Sequence, residues 1–152
     1  MNEGELARQA AITWRLKDLL NQQIEQFHGY VNALEKQQTA IESKSEDHIL
    51  AYIEYEERMV TGILSIQKVI DPLEDMYQTI IPPDDISALK SVLDDLKNQA
   101  IMQSARNKNL IASLMADISG EIESLRNDPL AIATRRFIHH NASTASLIDI
   151  KG

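Results

Sequence analysis

Apolar residues recur along this chain in alternating steps of three and four. From about Glu5 to Ser43 the series Leu16, Leu20, Ile24, Phe27, Val31, Leu34 and Ile41 opens on two steps of four and then keeps that spacing, with Gln38 filling one gap. A heptad of this kind holds one stripe of a helix against a neighbour, so a long α-helix with a coiled-coil seam is expected. Before Leu16 the series thins to Leu6, Ala10 and Thr13, and the first turns are expected to fray. Gly29 sits mid-segment at a cost of about 1 kcal/mol relative to alanine. Its neighbours Phe27, Tyr30 and Val31 are expected to hold the helix regardless.

Ser43-Lys44-Ser45 breaks the pattern. Ser45 can cap a second helix whose first turn, with Glu46 and Asp47, suits the positive end of the helix dipole. Its seam is Tyr52, Met59, Ile63, Ile66, Ile70, Leu73 and Tyr77. Pro72 lies inside it, where a proline removes one hydrogen bond and clashes with the preceding turn, at about 3 kcal/mol. Asp71-Pro72 could instead cap and open a new short helix. The seam keeps register across Pro72, which favours one kinked, continuous helix over a break.

Ile81-Pro82-Pro83-Asp84 is the plainest stop, because consecutive prolines cannot continue a helix and Asp84 can cap the next. The third segment, about 85–126, has an early seam of Ile86, Leu89, Leu93, Leu96 and Ala100. Its later seam is Ile111, Leu114 or Met115, Ile118, Ile122 and Leu125. Gln103 and Asn107 occupy core positions between them, and the phase slip there points to a change of partner along the helix. The expected architecture is therefore all-α: an elongated antiparallel coiled-coil-like bundle of three long helices, about 5–43, 46–79 and 85–126, spanning residues 1–126.

Asn127-Asp128-Pro129 ends the bundle, and 127–152 is a different kind of sequence. Leu130 to His140 fits three turns of helix opened by Pro129. Asn141 to Ser146 is small and polar, and the chain closes on Leu147, Ile148 and Ile150. A polar arm ending in apolar residues fits a short docking element or a segment packed back on the bundle.

Composition sharpens this reading. Aromatic content is 5%, too little for a broad globular core, and thin cores of leucine and isoleucine suit helix bundles. With no cysteine there is no disulfide, thiolate nucleophile or thiolate metal ligand, which also fits a reducing compartment. The charged first twenty residues do not read as a signal peptide, and no run of apolar residues is long enough to span a membrane. A cytoplasmic protein without membrane insertion is expected. A net charge of −8 works against binding a phosphate backbone, and the basic island Arg135, Arg136, His139 and His140 reads as a solvated turn.

Chemistry is sparse. Glu25 and His28 make one Glu-x-x-His pair, where a di-iron bundle needs two pairs and two further glutamates. His139 and His140 point about 100° apart on a helix and lack companions for zinc. Glu56 and Glu57 read as a charged face, since acid–base carboxylates need a shared cleft that shifts their pKa values. No phosphate loop or nucleophile elbow occurs. Neither an enzyme nor a cofactor is expected. What remains is protein binding, in which an amphipathic helix meets a partner through i, i+3, i+4, i+7 anchors.

The stretch LEKQQTAIESKSEDHILAYIEYEERMVTGILSIQKVIDPLEDM, together with ARNKNLIASLMADI carrying Asn107, Asn109, Leu110 and Leu114, resembles the FlgN-type flagellar export chaperones. The resemblance covers roughly Leu19 to Leu125 and departs from the family pattern at Pro72. It implies a chaperone that keeps hook–filament junction proteins of the FlgK and FlgL type from assembling early. It implies delivery to the type III export gate and its component FlhA. The family holds cargo through its C-terminal region. That region here is Asn107, Leu110, Ile111, Leu114, Met115, Ile118, Ile122 and Leu125, with Leu130, Ile132, Phe137, Ile138, Leu147, Ile148 and Ile150 beyond them. Phe137 is the C-terminal aromatic that the resemblance assigns to gate docking, and packing of a terminal helix explains it as well. The competing expectation is a self-assembling or scaffolding coiled coil whose seams pair between chains.

Overall fold

Each segment with the three–four spacing is a helix in the computed structural model, which describes residues 2–77 and 84–126. The helices are α1 (Glu3–Glu42), α2 (Glu46–Tyr77) and α3 (Asp84–Arg126), and no strand occurs among the described residues. The expected tail of residues 127–152, and the end of the second segment beyond Tyr77, lie outside them. No helix among the described residues is long and apolar enough to cross a membrane.

The first turns of α1 are helical from Glu3, earlier than the thinning apolar pattern predicts. Asn2 explains the difference. Its Oδ1 accepts from the Glu5 backbone N–H at 2.8 Å, which satisfies one of the donors that a helix start leaves unpaired. The other end of α1 closes on a pair of backbone bonds, Ser45 N–H to Ala40 O at 3.0 Å and Lys44 N–H to Ile41 O at 3.1 Å. That is a Schellman cap, with Lys44 at φ 55° in the left-handed position usually taken by glycine. Ser45 then stands at the N-cap of α2, its carbonyl accepting from Ile49 N–H at 2.9 Å. Pro72 does not break α2, which runs through it to Tyr77.

Contacts divide the chain into two compact units. The first takes residues up to Ala33 and from Tyr55 to Ile101. Its core is Leu16, Leu19, Leu20, Phe27, Ile70, Ile86, Leu93, Leu96 and Ala100. Gly29 belongs here, and its role differs from the cost assigned to it. A Cβ at Gly29 would stand 2.9 Å from Met59 Sδ, so the missing side chain is space that α2 fills. Three ion pairs, Arg15–Asp18, Lys17–Asp85 and Lys90–Glu74, decorate this unit. All are partly exposed, and solvent-screened pairs of this kind add little to stability.

One buried residue of the first unit was not legible from hydropathy. Gln23, fully buried, occupies the line where the apolar series places Ile24. Its Nε2 donates to Ile63 O at 3.0 Å and to Gln67 Oε1 at 3.2 Å. Its Oε1 is buried and finds no donor among the described residues.

The second unit takes Leu34–Glu54 and α3 from Met102 on. Ala40, Ile41, Ile49, Ile53 and Ile111 form its core cluster, with Tyr52, Leu110, Leu114 and Met115 packed against it.

Candidate functional site

The second unit holds all the described residues singled out for partner binding. Its polar layer is built first by α3. Asn107, 2% exposed, donates from Nδ2 to Leu34 O at 2.8 Å and to Gln37 Oε1 at 2.9 Å. Gln103 Nε2 donates to Asn107 Oδ1 at 3.0 Å and to Gln38 Oε1 at 2.6 Å. The layer is uncharged and joined throughout, the arrangement in which buried polar groups are tolerated and fix alignment. Gln37, not Gln38, is the buried member on α1.

The expected phase slip on α3 is smaller than the apolar pattern suggests. Leu93, Leu96, Ala100, Gln103 and Asn107 keep steps of three and four, and only the step to Ile111 lengthens by one. Gln103 and Asn107 are therefore part of the packed line.

The residues proposed for binding fall into three groups. Asn107 and Ile111 are core residues, so a partner would reach them only through their neighbours. Leu110, Leu114, Met115, Ile118, Ile122 and Leu125 are half-buried. The reason is visible for three of them: Leu110, Leu114 and Met115 pack on the Ile41–Ile49–Ile111 cluster. Leu130, Ile132, Phe137, Ile138, Leu147, Ile148 and Ile150 lie outside the described residues.

Apolar surface is open one face further round α3. Met102, Ala105, Arg106, Asn109, Leu110 and Ser113 line a shallow depression, and Met102 is 67% exposed. Sequence reading passed over Met102, Ala105 and Arg106. The signal was present in their i, i+3, i+4, i+7 spacing, but a single exposed methionine among small and polar residues carries little hydropathy. The arrangement offers amide hydrogen bonds, methyl groups and one guanidinium, which is the chemistry of protein contact. Among the described residues, no group of three or more His, Asp or Glu side chains could share a metal ion.

Titration perturbations occur in the first unit. Burial, the nearby Glu56 charge and a hydrogen bond to Glu56 raise the pKa of the Tyr30 phenol above its ordinary value. The hydrogen bond from Lys17 Nζ lowers that of the Asp85 carboxyl, whose Oδ1 also accepts from Ile86 N–H at 3.0 Å. Neither group lines an enclosed cleft.

No protein-family model matches the chain, and no solved structure matches it. An uncharacterized protein of Treponema pallidum (strain Nichols) is 28% identical over 127 residues, which cover 83% of this chain and 82% of that protein. The similarity runs through most of both chains and brings no activity with it.

Proposed function

We propose that this chain is a cytoplasmic, non-enzymatic export chaperone of the FlgN type, built as an antiparallel coiled-coil-like bundle. It holds FlgK- or FlgL-like hook–filament junction proteins, prevents their early assembly and hands them to the type III export gate at FlhA. The antiparallel arrangement is supported within the first unit, where Gln26 lies against Gly62 and Gln23 against Gln67, so numbers fall along α2 as they rise along α1.

The observation that carries the binding role is the later half of α3. Leu114, Ile118, Ile122 and Leu125 recur at helical spacing yet none reaches full burial. Half-buried apolar side chains can exchange neighbours at modest cost, and a partner helix laid along them gains their remaining apolar surface. In this reading the family resemblance adds residues Leu130 to Ile150 to the cargo contacts. Mixing the full chain with a C-terminal fragment of FlgK or FlgL is expected to give a 1:1 complex on sizing at micromolar concentrations. Ile122→Glu is expected to weaken that complex while leaving the helical circular-dichroism signal unchanged. Absence of any complex with either fragment sinks the proposal. A scaffold protein would instead form a large, stable oligomer without a partner.

A further inference from the structure

The first turns of α1 carry a second heptad line on the side away from Leu16. Glu3, Ala7, Ala10, Trp14 and Lys17 follow in steps of four, three, four and three, with Leu6 and Ala11 beside them. All seven are exposed, Trp14 at 69% and Leu6 at 53%. At 100° per residue, the five apolar members fall within an arc of about 140°, while Leu16 projects from the far side into the core. Single exposed apolar residues are ordinary. An arc of that width, with its charges confined to Glu3 at one end and Lys17 and Asp18 at the other, has the form of a packing face.

The order of residues on this face indicates what covers it. We propose that it pairs with the same face of a second copy of this chain, antiparallel, about a two-fold axis at Ala10. In that register Ala10 meets Ala10, Leu6 meets Trp14 and Glu3 meets Lys17. A two-fold interface must be self-complementary, because one patch serves both sides. This face meets the requirement in charge and in shape. Glu3 opposes Lys17, whose neighbour Asp18 is already paired with Arg15 on its own helix; the largest side chain opposes the second largest, and the alanines fall at the crossing point, where backbones approach closest. Lys17 Nζ already donates to Asp85 Oδ2 at 2.8 Å, and an ammonium group has two further protons to give.

The contact is small. Fifteen residues of helix span roughly 22 Å, and a helix is about 10 Å wide, so the buried surface falls in the class of weak, transient interfaces. The pairing is therefore a concentration-dependent dimer. It stands independently of the reading of α3.

Trp14 is the sole tryptophan, so its emission reports this face alone. The full-length protein is expected to sediment as a monomer at low micromolar concentration and to shift toward a dimer at hundreds of micromolar, with a blue shift of Trp14 emission over the same range. Ala10→Glu and Ala10→Lys each place like charges at the axis and are expected to abolish both changes. An equimolar mixture of the two variants is expected to restore them, because Glu then meets Lys across the axis. Ala10 is exposed, so unchanged circular dichroism in each variant separates loss of pairing from loss of fold. A wild-type protein that stays monomeric with constant emission overturns the proposal. So does a dimer that survives Ala10→Glu, and a mixture that fails to reassociate overturns the two-fold register.

Discussion

Asn107→Ala tests the polar layer of the second unit most directly. The asparagine makes three side-chain hydrogen bonds, two donated at 2.8 and 2.9 Å and one accepted at 3.0 Å. Each is worth about 1 kcal/mol net in a folded protein. Alanine removes all three and takes from Gln37 Oε1, itself in a buried residue, its Asn107 donor. A loss of about 3 kcal/mol follows, a large share of the roughly 5–15 kcal/mol that holds a typical domain together. Urea unfolding followed by far-ultraviolet circular dichroism measures it. The paired substitution Asn107→Leu with Gln37→Leu replaces both partners by apolar groups and is expected to recover most of that loss, since an unmade bond costs more than an absent one. If Asn107→Ala costs less than about 1 kcal/mol, by the same per-bond worth, the layer contributes nothing beyond ordinary packing and the reasoning fails.

Two further outcomes follow from local geometry. Lys44 holds a left-handed φ of 55° that glycine adopts freely, so Lys44→Gly is expected to raise stability by about 0.5–1 kcal/mol, read from the urea midpoint; a decrease would mean that the lysine side chain secures the α1–α2 turn. Tyr30 is held neutral by burial, the Glu56 charge and their hydrogen bond. Its stabilising effect is therefore present below the ordinary tyrosine pKa and lost as pH rises through the raised folded value. In an alkaline absorbance titration one of the four tyrosines is expected to ionise late, and Glu56→Gln should bring it earlier; superimposable curves would refute the pairing.

Much of the fold was legible because three–four spacing is imposed by the helix itself. The three helices and the early seam of α3 follow from it, and the break at Ser43–Ser45 follows from its capping serine. The start of α1 was misplaced because a cap acts through one side-chain oxygen, that of Asn2, which hydropathy does not register. The later apolar seam of α3 was located by spacing, yet its degree of exposure was not. Exposure depends on what lies opposite, as the Ile41–Ile49–Ile111 cluster does for Leu114 and Met115.

The glutamines show where that limit lies. On α1 the positions Leu16, Gln23, Tyr30 and Gln37 form one strict seven-residue line, and Leu20, Phe27, Leu34 and Ile41 form its companion. A reading guided by hydropathy follows the second line and then steps aside to Ile24, Val31 and Gln38, one position off the first. Repeating seven from Leu16 would have kept Gln23 and Gln37 in place. What makes them acceptable in a core cannot be seen on α1, because their partners Gln67 and Asn107 stand 44 and 70 residues away. The two layers also differ from each other. The Asn107 layer is joined throughout, whereas Gln23 leaves its Oε1 without a donor among the described residues. A half-satisfied amide stabilises less than a fully bonded one. The Asn107 layer should therefore hold α1 and α3 in register more firmly than Gln23 holds α1 against α2, and the apolar half of α3 follows directly from that anchored point.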